Sequence, residues 1–146
     1  VRKYNSKVIC SSTCGIKIAQ PQNYYNLLYY GSKDLYSIDK VDIIIEDDDF
    51  EFNFNGWSFG FILTPGHSSS SICIYTDKYI FSGDTIMKGY KPLILKRHEG
   101  SFEEYRQSIL KVFDFFSKDI LVYPGHGERF ILKEVMLQYE EYFKLK

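Results

Sequence analysis

Three short loops in this 146-residue chain each carry a metal-ligating side chain just beyond an apolar run. Phe59-Gly60-Phe61-Ile62-Leu63 runs into Thr64-Pro65-Gly66-His67, Tyr79-Ile80-Phe81 into Ser82-Gly83-Asp84-Thr85, and Ile120-Leu121-Val122-Tyr123 into Pro124-Gly125-His126-Gly127. A rigid strand fixes where such a loop begins, and Pro-Gly or Ser-Gly turns the backbone sharply enough to aim the next side chain at a shared point. Two imidazoles and one carboxylate are a borderline-to-hard donor set, suited to Zn²⁺, Mn²⁺ or Fe rather than to a soft thiolate site. A lone loop histidine is ordinarily structural or solvated, and a Gly-Asp pair is ordinarily a turn. Three such loops together, two of them sharing Pro-Gly-His, argue for a common site.

The elements that must position these loops follow from apolar periodicity. Phe50, Phe52 and Phe54 alternate with polar residues up to Asn55-Gly56, after which Trp57, Phe59 and Phe61 alternate again, predicting a hairpin. Ser71 to Thr76 and Tyr79 to Ser82 predict a second hairpin around Asp77-Lys78. Ser101 with Glu104 three residues later reads as a capping box, and Phe102, Tyr105, Ile109, Val112, Phe113 and Phe116 recur at helical spacing behind it. Lys7 to Cys10, Val41 to Ile45 and Ile120 to Tyr123 read as short strands; Gln22 to Tyr30 and Leu132 to Phe143 read as helices. Hairpins with two late helices predict a mixed α/β layered domain, with helices over one face of a largely antiparallel sheet.

The order and spacing of the three loops resemble a known family. Thr64-Pro-Gly-His67 with its serine-rich continuation, Phe81-Ser-Gly-Asp84-Thr and Val122-Tyr-Pro-Gly-His126-Gly are similar to the third, fourth and fifth metal motifs of the metallo-β-lactamase superfamily, closest to its glyoxalase II-like hydrolases. The resemblance covers the chain from about Val41 onwards. It implies an αβ/βα sandwich with a two-metal site at one edge of the sheets. Carried over, His67 is a ligand of the first metal, Asp84 the carboxylate bridging both, and His126 a ligand of the second. Two zinc ions, or Fe or Mn in their place, would acidify a shared water and polarise a scissile carbonyl or phosphoryl group. The implied activity is thioester or ester hydrolysis of a small-molecule substrate.

The family's first motif, His-x-His-x-Asp-His, has no counterpart here. The remaining histidine of the chain, His98, stands in Lys96-Arg97-His98-Glu99. Two ligands per ion, one of them shared, predict weak or no metal binding by this chain. The reading therefore expects a C-terminal portion of one metallo-β-lactamase-like domain over residues 1–146, lacking much of the N-terminal sheet. That portion would be inactive, within a parent that is a metallo-hydrolase. The alternative is a metal-free binding or interaction module that reuses the fold.

Composition bounds the rest. The chain is 45% hydrophobic and 18% aromatic with a net charge of −1, which suits a packed core and argues against a nucleic-acid substrate, nuclease chemistry included. No apolar window reaches the roughly 20 residues of a membrane span, so no membrane partner is expected. Cys10, Cys14 and Cys73 fit reduced thiols in a cytoplasmic protein. Lys88, Lys91, Lys96 and Arg97 lie where family members place substrate contacts, and Lys91 and Lys96 are the candidates to hold an anionic group; a solvated basic loop is the alternative. Ser68 to Ser71 read as a polar loop before a strand, with an anion site as the alternative, and Asp47-Asp48-Asp49 as a turn rather than a calcium site. The Phe and Tyr stripes read as core, and sheet faces uncovered by truncation predict self-association.

Overall fold

The computed structural model describes residues 6–19, 38 and 40–145. The chain divides into two compact units, Val1–Glu46 and Asp47–Lys146.

In the first unit, β1 (Ile9–Ser11) pairs in parallel with β2 (Ile43–Ile45), with Cys10 opposite Ile44. Between them lies α1 (Ser12–Ile18), which the periodicity did not anticipate. It is seven residues long and holds Gly15, so neither length nor propensity announces it; the Ser11 hydroxyl caps it by accepting from the Cys14 N–H at 3.3 Å. The strand expected at Val41–Ile45 is shortened to its last three residues, and the one expected at Lys7–Cys10 is shifted to Ile9–Ser11. The helix expected over Gln22–Tyr30 lies outside the described residues.

The second unit carries a six-stranded sheet in sequence order: β3 (Glu51–Phe54), β4 (Trp57–Leu63), β5 (Ile72–Tyr75), β6 (Tyr79–Gly83), β7 (Leu121–Pro124) and β8 (Phe130–Ile131). All neighbours are antiparallel except β6 and β7, which α2 (Phe102–Phe115) separates in the chain. That helix makes the parallel crossover possible. Both hairpins form where alternation placed them: Asn55 and Gly56 take φ of 49° and 80°, the left-handed pair a two-residue turn needs. The second turn is held by the Thr76 hydroxyl, which accepts from the N–H groups of Lys78 and Tyr79. Ser101 caps α2 by accepting from Glu104 N at 3.4 Å.

Alternate sheet residues Ile62, Cys73, Ile80, Val122 and Phe130 form one core with Tyr105, Ile109 and Val112 of α2 and Val135, Tyr139 and Phe143 of α3 (Lys133–Phe143). The opposite sheet face bears a row of cross-strand partners, Phe61, Ile74, Phe81 and Tyr123. The aromatic stripes are therefore core only in part: Phe54, Trp57, Phe81, Phe102 and Phe115 are exposed. Period alone cannot tell the two faces of a sheet apart, nor a hairpin's tip from its base. The acidic triplet is a turn that also ties elements together. Asp47 accepts from Asp49 N, and Asp48 accepts from Leu63 N and pairs with Lys111 of α2 at 2.8 Å. All three cysteines are free. No helix among the described residues is long and apolar enough to cross a membrane.

Candidate metal centre

Strand direction brings the three loops together. β4 is antiparallel to β5 and β5 to β6, so β4 and β6 run the same way, and β7 runs parallel to β6. Loops leaving the C-terminal ends of β4, β6 and β7 must therefore emerge at one edge of the sheet. His67 follows β4, Asp84 follows β6 and His126 follows β7.

The three side chains meet at the Asp84 carboxylate. Nε2 of His67 lies 3.6 Å from Oδ2, and Nε2 of His126 lies 3.6 Å from Oδ1. Two glycines permit this approach. Gly66 has φ of 141°, and a Cβ there would strike the Tyr105 backbone; a Cβ at Gly125 would strike Asp84 Oδ1 itself. The Gly125 N–H donates to Gly83 O at 2.8 Å, which seats the His126 loop on the Asp84 loop.

The imidazole of His67 is oriented from behind. Its Nδ1 lies 2.8 Å from Leu93 O, and a carbonyl can only accept, so the neutral ring carries its proton on Nδ1 and turns the Nε2 lone pair towards Asp84. The peptides around it are held as well: Ser101 N donates to Gly66 O, Leu95 N to His67 O, and the Ser108 hydroxyl to Pro65 O at 2.7 Å. His126 differs, with 70% of its side chain exposed against 13% for His67.

Asp84 itself stands on buried polar groups that periodicity had placed in the core. The Tyr105 hydroxyl donates to Asp84 O and Thr85 O at 3.0 and 2.7 Å, and Thr85 Oγ1 lies 3.3 Å from Thr64 Oγ1. Tyr139 accepts from Met87 N at 2.9 Å. Burial pushes both phenols up, so they remain neutral donors and acceptors. One signal could have flagged them: a tyrosine in an apolar helical stripe must find a partner for its hydroxyl. The Leu93 carbonyl had no such signal, because a backbone group is invisible to residue type.

Other candidates sort differently. Lys91 is exposed in a groove it lines with Tyr90, Pro92, Gln138 and Tyr142, and Gln138 fastens that loop by donating to Tyr90 O and accepting from Gly89 N. Lys96 is exposed on a 3-10 turn, Lys96–His98. In the serine loop the N–H groups of Ser68, Ser69 and Ser71 donate to Ser71 Oγ, His98 O and Ser68 O, so they are not directed at an anion.

The donors fit a pair of ions incompletely. Two ligands of one zinc ion at about 2.0–2.2 Å and near-tetrahedral angles stand roughly 3.4 Å apart. The 3.6 Å separations are close to that figure, so His67 with one oxygen, and His126 with the other, could each serve as a pair of donors to an ion. Among the described residues no three His, Cys, Asp or Glu side chains gather about a single ion. Each pair offers two donors, with Asp84 common to both.

Known proteins share this arrangement of elements. The family model of the metallo-beta-lactamase superfamily matches residues 15–126. A probable polyketide biosynthesis zinc-dependent hydrolase, BaeB of Bacillus velezensis, is 29% identical over 138 residues, covering 90% of this chain and 61% of that protein. A hydroxyacylglutathione hydrolase of an Enterobacter species is 39% identical over 56 residues, 38% of this chain and 21% of that protein. The chain thus spans less than two thirds of the length of either relative. Among solved structures, the BLEG-1 B3 metallo-beta-lactamase superposes with a TM-score of 0.76 at 18% identity, over 97% of this chain and 67% of that one; at that identity the likeness concerns the fold.

Proposed function

The chain belongs to the metallo-beta-lactamase superfamily, whose members similar to it are named as hydrolases, and on that footing we propose that the full-length protein hydrolyses a small thioester or related ester at a two-metal centre built on His67, Asp84 and His126. The observation that carries this reading is the pair of imidazole nitrogens facing opposite oxygens of one carboxylate at equal distance. His67 would hold the first ion and His126 the second, with Asp84 shared. Zinc is the proposed metal, because two nitrogen donors and a carboxylate suit it and BaeB is named zinc-dependent. When bound, such ions supply Lewis acidity to the scissile carbonyl and make water a competent nucleophile near neutral pH.

The chain's own residues would do the positioning. Leu93 O would hold the His67 ring by its Nδ1–H and so direct Nε2 at the centre, and Gly125 leaves room for the Asp84 carboxylate beside the His126 loop. Lys91 and Lys96, both exposed and borne on the segment that follows Asp84, would meet an anionic part of the substrate. Overall, water adds to the acyl carbon, the carbon–sulfur bond breaks, and the proton goes to the thiolate leaving group.

Two ligands per ion also favour a second reading, a metal-free module on the same fold. Elemental analysis of the natural full-length protein separates the two. We expect bound zinc and thioester turnover, both lost on chelation, whereas the 146 residues alone should bind zinc weakly and turn over nothing. A full-length protein without transition metal would overturn the hydrolase reading.

A further inference from the structure

We propose that Tyr105 is a positioning residue for the metal centre, its hydroxyl setting the Asp84 peptide and its backbone setting the loop before His67. The inference rests on the metal-centre reading above. Tyr105 sits in the first turns of α2 and is fully buried, its ring packed on Phe143 at a centroid distance of 5.3 Å. Its hydroxyl is shared between the carbonyls of Asp84 and Thr85. The backbone of the same residue is the surface on which Gly66 lies, too close to admit a Cβ, and Ser101 at the start of the helix donates to Gly66 O at 3.0 Å. One residue therefore registers two ligand loops against each other. A second tie between the same loops, Thr64 Oγ1 to Thr85 Oγ1, has no comparable hold on the Asp84 carbonyl.

The consequence concerns geometry rather than bulk stability. The direction of the Asp84 side chain follows from the orientation of its peptide, and that carbonyl accepts from the Tyr105 hydroxyl. Without the donor that peptide is left with its Thr85 N–H tie to Ser82 O at 3.1 Å, and the 3.6 Å spacing to His67 is held less firmly. Tyr139 offers an internal comparison: it is equally buried and also holds this loop, but its shortest tie is to Met87 N at 2.9 Å, three residues beyond the ligand, and it reaches Thr85 O at 3.4 Å, whereas Tyr105 is the tyrosine that donates to Asp84 O.

The test is Co²⁺ binding by the natural full-length protein, followed by its visible absorption and titrated to affinity, with thermal melting of the metal-free form alongside. Tyr105→Phe should weaken Co²⁺ binding about 10-fold or more, the range for groups that orient a metal ligand, and should change the visible spectrum. Tyr139→Phe should lower the melting temperature yet keep the wild-type affinity and spectrum. Restoring a donor at the same ring position, with p-aminophenylalanine at 105, should recover binding. Unchanged affinity in Tyr105→Phe, equal weakening in Tyr139→Phe, or no recovery with the amino analogue each overturns the inference. If Tyr105→Phe does not fold, the folded amino analogue decides: wild-type binding supports the inference and weakened binding overturns it. A wild-type protein that binds no Co²⁺ overturns the metal reading and this inference with it, whereas wild-type binding that Tyr105→Phe leaves unchanged overturns the inference alone.

Discussion

His67 and His126 stand at the same distance from the two oxygens of one carboxylate, yet the protein treats them differently. His67 is nearly enclosed, its ring is fixed through Leu93 O, and the peptides on either side of it donate to or accept from α2 and the segment after Asp84. His126 is mostly exposed, and its loop is seated through Gly125 N on Gly83 O. The difference teaches that equal geometry need not mean equal preorganisation. Ordering a side chain costs conformational entropy, and on the His67 side that cost is met by folding, whereas on the His126 side it would fall on the proposed metal binding.

The comparison can be broken most severely at its shared member. Asp84→Ala removes one ligand from each half-site, so the full-length protein should lose both ions together, read by elemental analysis; retention of one ion would show that the halves are independent. Next in size is the contrast between the two close-approach glycines. Gly66→Ala puts a Cβ into the Tyr105 backbone at a left-handed φ and should cost about 3 kcal/mol, read as a lowered urea midpoint. Gly125→Ala meets the Asp84 carboxylate first, so it should cost about 1 kcal/mol while disturbing metal binding more than stability does.

A third prediction concerns the buried polar cluster behind the His67 half. Cys73 lies 3.5 Å from Thr64 Oγ1, and burial pushes its thiol from an ordinary 9.0 up to about 11. The folded state holds this proton more tightly than the unfolded state, so its contribution is intact below pH 9 and is lost as pH rises from 9 to 11. The Cys73 share of the fall in urea titrations should be roughly 2–3 kcal/mol over that window, read as the difference between wild type and Cys73→Ala. The smallest effect is spectroscopic. In metal-free protein at neutral-imidazole pH, ¹⁵N shifts should show His67 as a single Nδ1–H tautomer and His126 as a mixture. Two mixed tautomers would erase the asymmetry on which the comparison depends.

Much of the site was legible because its signal is local. Pro-Gly-His, Ser-Gly-Asp and the apolar runs before them lie within single stretches of sequence, and both hairpins follow from alternation around a turn. The Ser101 cap was legible for the same reason. Elements with weak local signals were not: α1 is short and contains Gly15, and β8 is two residues long. Nor did the Phe stripe reveal that Phe54 and Trp57, at the tip of its hairpin, are exposed. Burial depends on what packs against a face, and that is a long-range property.

The sequence by itself determined which atoms could ligate a metal and which strands deliver them, since both depend on residue type and short-range backbone preference. Only the tertiary structure decided that β4, β6 and β7 run in the same direction and so present His67, Asp84 and His126 at one edge. It also decided that two tyrosines read as core hold the Asp84 turn, and that a backbone carbonyl at Leu93 orients His67. These pairings join residues 20 to 52 positions apart. Such contacts depend on how helices and sheet pack, because the energy that selects them belongs to the assembled core rather than to any one segment.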